Sequence, residues 1–279
     1  MATRGKNINL FLIDGIPSGR IKCSLSNWTG IVYKIPKVMI DASKEIDALQ
    51  QSGVYFLFGV NSNGDDIVYI GQAGNRKNKK GLLGRIMEPH NQIDYWVNAV
   101  MLTTRDNSFG ATEISYLENR FCNMAISANR SIVVNGNDPN PGNITEEKQS
   151  ELEEYIDYAI IVLGALGYKI FDPLDSLQNE SATYYYCKRR DADAKGRLSS
   201  DGFILEKGSR ISSTVLKSCP DYVLKLREIN KDKINRDILT ETMLFSSPSG
   251  AASFVIGGSA NGKVEWKTKD GKLLKEFIN

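Results

Sequence analysis

The stretch GVYFLFGVNSNGDDIVYIGQAGNRKNKKGLLGR, residues 53–85, decides the fold of the chain around it. The runs GVYFLFGV and IVYIGQA are rich in β-branched and aromatic residues, and the Asn-Gly pair between them is a turn signal, so a β-hairpin is predicted. Both runs are apolar on both faces, which indicates strands in the middle of a covered sheet. Antiparallel pairing about residue 62 would place Tyr55 opposite Tyr69 on one sheet face.

A basic segment without a single acidic residue follows the second strand. It contains Arg76, Lys77, Lys79, Lys80 and Arg85. Such a segment is suited to binding phosphate, because guanidinium groups form bidentate hydrogen bonds with phosphate oxygens. For the lysines, the alternative is that they simply lie in a solvated loop. Arg85 lies between Leu83 and Ile86 at the start of a predicted helix, which would aim its side chain partly inward.

The single histidine, His90, excludes several kinds of catalytic site. Histidine-pair metal sites and HExxH helices need two histidines, and no GxSxG motif accompanies His90 as the base of a serine triad. The Walker A and GxGxxG nucleotide-binding patterns are absent as well. The chemistry that remains is that of Tyr, Arg, Lys and carboxylate side chains.

Composition and length indicate a globular protein of one large or two ordinary domains. The chain has 279 residues and a net charge of +2, so any nucleic-acid affinity must come from local clusters. Its four cysteines form no CxxC pair, which favours free thiols over a zinc ribbon or a disulfide scaffold. No signal peptide and no apolar window as long as a membrane span are found, so we expect a cytoplasmic protein.

Two helices with clear periodicity follow the basic segment. In ATEISYLENRFCNMAISAN, residues 111–129, the apolar face consists of Ile114, Leu117, Phe121 and Ala125. In TEEKQSELEEYIDYAIIVLGALG, residues 145–167, Thr145 or Asn143 can cap an ordinary packing helix. Between these helices, RSIVVNGNDPNPGN predicts a short strand and a loop rich in turn residues.

Glu118 lies on the apolar face of the first of these helices. An unpaired carboxylate in such a position costs several kcal/mol, so Glu118 requires a cation, a metal ion or a proton. The structural alternatives are an ion pair with Arg85 or Arg120, or a helix that rolls to expose the carboxylate. Tyr55 and Tyr69, taken singly, are likewise compatible with ordinary core aromatics.

The flanking segments predict an α+β protein with three parts. Short β-rich runs form a leader at residues 1–48, a central domain spans 49–172, and a separate α+β domain spans 173–279. DASKEIDALQQSG, residues 41–53, predicts a short helix with Asp41 or Ser43 as its cap.

The third part contains several local signals. Ser247 before Pro248 predicts a helix start, and Asn261-Gly262 predicts a hairpin turn. Trp266 is expected in the core. The basic cluster of Lys188, Arg189 and Arg190 is interpreted as a solvated face of a linker.

Taken together, these residues resemble the GIY-YIG nuclease family. The matching features are GVY at 53–55, YIG at 69–71, Arg85 in the following helix, Glu118 within LENRF of the next long helix, and a later Asn. The resemblance covers about residues 50–140.

INLFLIDGIPSG and NWTG are similar to the leader of a bacterial and phage subgroup. SSPSGAASFVIGGSANGKVEW, residues 246–266, is similar to a domain of unknown function that follows this nuclease core, and to a DNA-contacting module of adenine methylases and restriction enzymes. The shared run comprises Ser259, Asn261, Gly262, Lys263 and Trp266.

The resemblance implies an α+β core with a small antiparallel sheet flanked by helices, and a divalent-metal-dependent DNA endonuclease. Glu118 would hold Mg²⁺ or Mn²⁺, and Arg85 would stabilise charge on the phosphoryl oxygens. Tyr55 would be the general base, with a pKa lowered by Arg85 and the basic segment, and Tyr69 would position water or phosphate.

Further site residues follow from the resemblance. Asn135 is the expected catalytic Asn, with Asn137 as runner-up and turn chemistry as the alternative for both. Family members carry His or Tyr four residues after the Arg, where this chain has Pro89, so the role passes to His90, for which a structural role is the alternative. The expected DNA-binding residues are Gly71, Arg76, Lys77, Lys79 and Lys80.

DNA is thus the expected partner, and restriction or phage defence is the expected setting. The chain is also compatible with a homo-oligomer or with a partner in a defence complex. Two other classes remain open, namely a nucleic-acid-binding protein that does not cut, and a partner-docking subunit of a defence complex with the same fold.

Overall fold

A computed structural model describes residues 5–60, 66–74, 81–88, 96–135, 142–172 and 183–278. The chain divides into two compact units, residues 1–173 and 174–279. Both units combine helices with β-sheet, which confirms the α+β class. No helix in the described part of the chain is long and apolar enough to cross a membrane.

A seven-stranded sheet organises the first unit, in the order β1-β2-β3-β6-β4-β5-β7. The strands are β1 Ile8–Leu12, β2 Ile21–Leu25, β3 Gly30–Pro36, β4 Gly53–Val60, β5 Asp66–Ala73, β6 Trp96–Thr104 and β7 Ile132–Val133. Neighbouring strands are antiparallel except β5 and β7, which are parallel. The helices are α1 Gly81–Met87, α2 Ala111–Ala128 and α3 Glu146–Ala165.

The expected β leader does not form a sheet of its own. Strand β3 pairs along its whole length with β6, from Gly30 opposite Thr104 to Pro36 opposite Asn98. The side chains of β3 are buried on both faces, so the strand needs a neighbour on each side and cover above and below. The central sheet is therefore larger than the small one expected, and the leader strands continue it.

The strands of the hairpin are covered on both faces, as predicted. On one face Val54, Phe56 and Phe58 pack among residues of α2 and α3. On the other face Tyr55 and Leu57 pack among residues of α1. The predicted apolar face of α2 is confirmed, because Ile114, Leu117, Phe121 and Ala125 are all buried. Thr145 caps α3 by accepting a hydrogen bond from the Lys148 amide, 3.4 Å away.

The short helix expected at residues 41–53 is wrong in detail. The segment forms two 3-10 turns, Asp41–Ser43 and Asp47–Gln50. A segment of this length supplies too few bonds to propagate an α-helix by itself. The Ser43 hydroxyl also donates to the Met39 carbonyl oxygen at 2.8 Å, so it bonds backward instead of capping a helix.

The second unit contains a four-stranded antiparallel sheet in the order β13-β10-β9-β8 and a separate β11–β12 hairpin. Its strands are β8 Tyr184–Arg189, β9 Ala192–Ser199, β10 Gly202–Leu205, β11 Ile234–Asn235, β12 Ile238–Leu239 and β13 Met243–Phe245. Its helices are α4 Asp221–Ile229, α5 Pro248–Ile256 and α6 Gly262–Glu265. The Arg227 guanidinium from α4 donates to the carbonyl oxygens of Phe254 and Val255 at the end of α5.

Several local predictions for this unit are confirmed. Ser247 caps α5 by accepting from the Gly250 amide at 3.2 Å, and Pro248 is the first residue of that helix. Trp266 is fully buried in the core.

Two local predictions for this unit are wrong. Asn261 is not in a hairpin turn, because its side chain accepts from the Lys263 amide at 3.1 Å and caps α6. Gly262 lets this helix approach Pro248 closely, since a Cβ there would lie 2.3 Å from the Pro248 carbonyl carbon. Lys188, Arg189 and Arg190 are exposed, as predicted for a solvated face. The linker assignment is wrong, because Lys188 and Arg189 belong to β8.

Candidate active site

Tyr55 and Tyr69 lie on the same sheet face, but not directly opposite each other. The hairpin pairs Tyr55 with Gly71 and Tyr69 with Leu57, so the predicted register is wrong by two residues. The two rings are diagonal neighbours with centroids 6.0 Å apart.

The packing at Gly71 explains this register. A Cβ at Gly71 would lie 2.5 Å from Cζ and 2.6 Å from the hydroxyl oxygen of Tyr55, and 2.8 Å from Cε1 of Tyr69. Such distances leave no room for a side chain, so only glycine fits beneath the two rings. Gly71, expected as a DNA-binding residue, therefore provides the space in which the two tyrosine rings pack.

The two phenols differ in their access to solvent. Tyr55 is fully buried, whereas Tyr69 is partly exposed. Burial raises the pKa of Tyr55 above its ordinary value, neighbouring Tyr69 raises it further, and Arg85 opposes both effects. Arg85 thus acts in the expected direction, but burial outweighs it and the pKa of Tyr55 is raised. Lys77 and Lys80, the other cations expected to lower this pKa, lie outside the described residues.

Arg85 lies in α1 beside the tyrosine pair. One Nη atom of Arg85 is 2.5 Å from the carboxylate of Glu88, three residues later. This bond is the main reason why the pKa of Arg85 is raised, and the phenols of Tyr55 and Tyr69 contribute in the same direction. Both side chains of the Arg85–Glu88 pair are about one third exposed, so the cation is oriented while solvent still reaches it.

Glu118 projects from α2 towards the end of β5, where Gln72 donates to its Oε2 at 2.9 Å. Ser115, one turn earlier in α2, donates to the side-chain oxygen of Gln72 at 3.2 Å. Burial raises the pKa of Glu118, while the Gln72 hydrogen bond and the charge of Arg85 act in the opposite direction. These groups hold a partly buried carboxylate in one orientation.

No described residue forms an ion pair with Glu118. Its two predicted partners are engaged elsewhere, since Arg120 pairs with Glu153 at 2.5 Å and Arg85 pairs with Glu88. The structural alternative, an ion pair with one of these arginines, is therefore wrong. A partly buried carboxylate that has no ion-pair partner among the described residues has the electrostatic environment in which a metal ion would be stabilised.

Asn135 follows β7 and bonds to the backbone of Ile70. Its Oδ1 accepts from the Ile70 amide at 3.1 Å, and its Nδ2 donates to the Ile70 carbonyl oxygen at 2.5 Å. Strand β7 pairs with β5 only at Ile67 and Val68. Beyond Val68, the side-chain amide of Asn135 supplies the hydrogen bonds to β5 that a paired strand would otherwise make. Asn135 thereby fixes the segment of β5 between Tyr69 and Gly71.

Strand β5 connects the two halves of the site. Because side chains alternate along a strand, Tyr69 faces α1 while Ile70 and Gln72 face α2. Arg85 influences the pKa of both Tyr55 and Glu118, so four of the five predicted catalytic side chains that are described here belong to one electrostatic site. The fifth, Asn135, bonds to the backbone of Ile70. The structure thus brings together Tyr55, Tyr69, Arg85 and Glu118.

The donor set of this site fits a hard divalent cation. It offers the carboxylate of Glu118, and oxygen donors are the ligands that Mg²⁺ prefers. In the described part of the chain no three His, Cys, Asp or Glu residues cluster as metal ligands. A site with Glu118 as its single carboxylate would leave the other positions to water and substrate oxygens, as is usual for Mg²⁺.

The remaining predicted site residues lie outside the described part of the chain. They are His90, Asn137, Arg76, Lys77, Lys79 and Lys80.

Sequence reasoning missed three side chains that orient the site, namely Gln72, Ser115 and Glu88. Signals for two of them were present. Gln72 directly follows YIG, at a position whose strand alternation points away from Tyr69 and towards α2. Glu88 lies three residues after Arg85, which is a common spacing for a helical ion pair. Ser115 could be recognised only from the contact itself.

Comparisons with known proteins match only the second unit. Residues 185–278 match the family profile described as Domain of unknown function (DUF4357). No GIY-YIG nuclease profile matches the chain. No curated protein and no solved structure shows a significant similarity.

Proposed function

We propose that the protein is a divalent-metal-dependent DNA endonuclease whose active site is formed by Tyr55, Tyr69, Arg85 and Glu118. The observation that carries this proposal is the partly buried carboxylate of Glu118, which lacks an ion pair among the described residues and lies within electrostatic influence of Arg85. The resemblance of GVY, YIG, Arg85 and Glu118 to the GIY-YIG nuclease pattern supports the same reaction.

Glu118 would hold Mg²⁺ or Mn²⁺. A metal ion bound there would polarise a phosphoryl oxygen and neutralise charge on the leaving oxygen. Gln72 and Ser115 fix the direction of the carboxylate, because they form a chain of hydrogen bonds that ends at Glu118 Oε2. The bound cation would also offset the energetic penalty of ionising Glu118 in a partly buried position.

Arg85 would stabilise the charge that develops on the phosphoryl oxygens. Its guanidinium is oriented by Glu88 and is partly exposed, so it can reach a substrate without first losing its position. A guanidinium is also the side chain best suited to bidentate contacts with phosphate.

We assign the two tyrosines different roles. Tyr69 is the phenol that solvent reaches, so it would contact the attacking water or the phosphate, and the proton of that water would pass to the solvent on this side of the site. Tyr55 is fully buried and its raised pKa keeps it protonated at neutral pH, so it would position Tyr69 and Arg85 and would not accept the proton of the attacking water. This assignment replaces the general-base role that the family resemblance implies for Tyr55.

DNA is the proposed partner, the cytoplasm the proposed compartment, and restriction or phage defence the proposed setting.

The experiment that tests the proposed function mixes the full chain with linear and supercoiled DNA in EDTA, measures binding, and then adds Mg²⁺ or Mn²⁺. Cleavage that begins only after the metal is added supports the nuclease. A salt-sensitive shift of the DNA without cleavage would instead support a protein that binds and does not cut. Neither binding nor cleavage would favour the partner-docking subunit.

A further inference from the structure

One face of the second unit's sheet presents tyrosine and lysine side chains to solvent. Along β8, Tyr185 and Cys187 are buried in the core. Tyr184 and Tyr186 point to the opposite face and are partly exposed, and Lys188 on that face is exposed. Helix α5 supplies much of the core that contains Tyr185 and Cys187, so this helix covers the other face of the sheet.

Tyr186 lies in the centre of a row of three residues. In the antiparallel pairing, Lys195 of β9 is its neighbour on one side, and Lys267 forms an isolated bridge with it on the other side. Directly paired residues project to the same face, so both lysines flank the ring of Tyr186. Lys195 Nζ also lies 3.7 Å from the ring centroid of Tyr184.

A cavity of about 430 Å³ opens beside this row. Its walls include Tyr186, Lys188, Lys267, Thr268, Lys269 and Glu265. The one acid in this wall, Glu265, is neutralised by Arg189 at 2.6 Å.

The cations in the wall of the cavity differ in their partners. Lys188 pairs with Asp193 at 3.0 Å, whereas Lys267 and Lys269 pair with no acid in the described part of the chain, where neighbouring Asp270 pairs with Lys272. Among the described residues, the cavity therefore combines an aromatic ring with two lysines that no acid neutralises.

The distribution of charge along the chain points in the same direction. Residues 174–279 contain 18 Lys and Arg against 14 Asp and Glu, whereas residues 1–173 contain 17 against 19. The near-neutral total thus conceals a positive second unit and a negative first unit. A polyanion is attracted to the second unit on these grounds.

We infer that the face formed by Tyr186, Lys195, Lys267 and Lys269, the tyrosine–lysine face, binds single-stranded nucleic acid. A base would stack on the ring of Tyr186 while the lysines contact the neighbouring phosphates, which is the combination that recognises single strands without sequence preference. A duplex keeps its bases stacked inside, so it cannot use the tyrosine in this way. The inference extends the proposed function, because it supplies the cleavage unit with a second contact on a strand with unpaired bases.

Binding of the full chain to a fluorescein-labelled dT₁₂ strand, to a 12-base-pair duplex and to thymidine monophosphate tests this inference by fluorescence anisotropy. All measurements are made in EDTA, so failure of metal-dependent cutting and failure of strand binding are distinguished. Tyr186→Ala removes the stacking ring, and Tyr186→Phe retains it. Lys267→Gln/Lys269→Gln removes two charges from the face. Lys217→Gln/Lys225→Gln removes two charges from exposed positions of the same unit outside the cavity wall.

Tyr186→Ala is expected to weaken dT₁₂ binding about tenfold without changing its salt dependence, whereas Tyr186→Phe binds like the wild type. Lys267→Gln/Lys269→Gln is expected to lower the slope of log K against log salt by about 1.4, because about 0.7 counterion is released per phosphate contact on a single strand. The inference is overturned if the Lys217/Lys225 control weakens binding as much, if Tyr186→Ala binds like the wild type, or if the duplex or the mononucleotide binds as tightly as dT₁₂.

Discussion

Gly71→Ala adds one methyl group beneath the tyrosine pair. The Cβ would meet Tyr55 Cζ at 2.5 Å and Tyr69 Cε1 at 2.8 Å, whereas carbon atoms in contact lie about 3.5–4.0 Å apart. The rings must therefore move by about 1 Å. Tyr55 of β4 is fully buried among residues of β5, β6 and α1, so it has no solvent-exposed position to which it can move.

The magnitude follows from this overlap. Overpacking of a well-packed core costs about 1–3 kcal/mol, which in a unit of this size lowers the melting temperature by about 2–12 °C. Gly71 does not have a positive φ, so the alanine adds no backbone strain to this figure. A displacement of about 1 Å in an active site can reduce the rate by about 10²-fold, so the loss of activity would greatly exceed the loss of folded protein.

Gly74→Ala is the matched control, three residues further along the chain. Its Cβ would meet only Ile114 Cδ1, at 3.6 Å, which is an ordinary contact. Differential scanning calorimetry and a plasmid-cleavage assay are run on both variants. The account predicts a lower melting temperature and lost cleavage for Gly71→Ala alone. A Gly71→Ala protein that has the same melting temperature and the same cleavage activity as Gly74→Ala would refute the claim that the two tyrosine rings leave no space for a side chain at residue 71.

Three further predictions concern charge and hydrogen bonding. Burial raises the pKa of Glu118, so the folded state loses stability as the pH rises through that pKa. Glu118→Gln should therefore melt at a higher temperature than the wild type at pH 8 in EDTA, and this gain should disappear near pH 4. Exposed Glu154→Gln is the control and should show no such gain. A gain that persists unchanged at pH 4 would contradict the electrostatic explanation. Gln72→Met should weaken Mn²⁺ binding about 10–100-fold in isothermal titration calorimetry, because Glu118 loses its orienting donor; unchanged affinity would show that Gln72 does not orient the carboxylate. Arg227→Met should destabilise the second unit by about 1.5–3 kcal/mol in urea, because carbonyl oxygens at the end of α5 lose their donor, and an unchanged midpoint would remove Arg227 from the account of that unit.

The sequence predicted the strands near the site better than their exact pairing. The apolar character of GVYFLFGV and IVYIGQA on both faces was sufficient to place them in a covered sheet, because such strands are unstable without cover. Their register was not predictable from the Asn-Gly turn signal, since it depends on which residue can tolerate a ring above it. Only the structure shows that Gly71 is this residue.

The leader and the second unit show a similar limit. The strand pattern of β3 was visible in the sequence, but its pairing with β6 joins residues about 70 positions apart, and local patterns do not encode such contacts. Asn261-Gly262 has the composition of a hairpin turn, yet tertiary packing against Pro248 makes Asn261 a helix cap. In both cases long-range contacts decided the outcome.

At the candidate site, residue type and helical spacing identified Glu118, because a carboxylate on an apolar helix face requires a cation, a metal ion or a proton. The sequence could not show which cations were already engaged. Arg120 and Arg85 were both candidate partners of Glu118, and the structure pairs them with Glu153 and Glu88. The direction of the Tyr55 pKa also required the structure, because it depends on how completely the ring is buried.

The central claim is that Glu118 is the metal-binding carboxylate of a DNA endonuclease. The most direct measurement is the nicking of supercoiled plasmid in Mg²⁺ by the wild type, Glu118→Gln and Glu154→Gln, purified in parallel. The account predicts open-circular product from the wild type and from Glu154→Gln, and none from Glu118→Gln or from any protein in EDTA. Equal nicking by Glu118→Gln and the wild type, or no nicking by the wild type on modified and unmodified DNA alike, would contradict it.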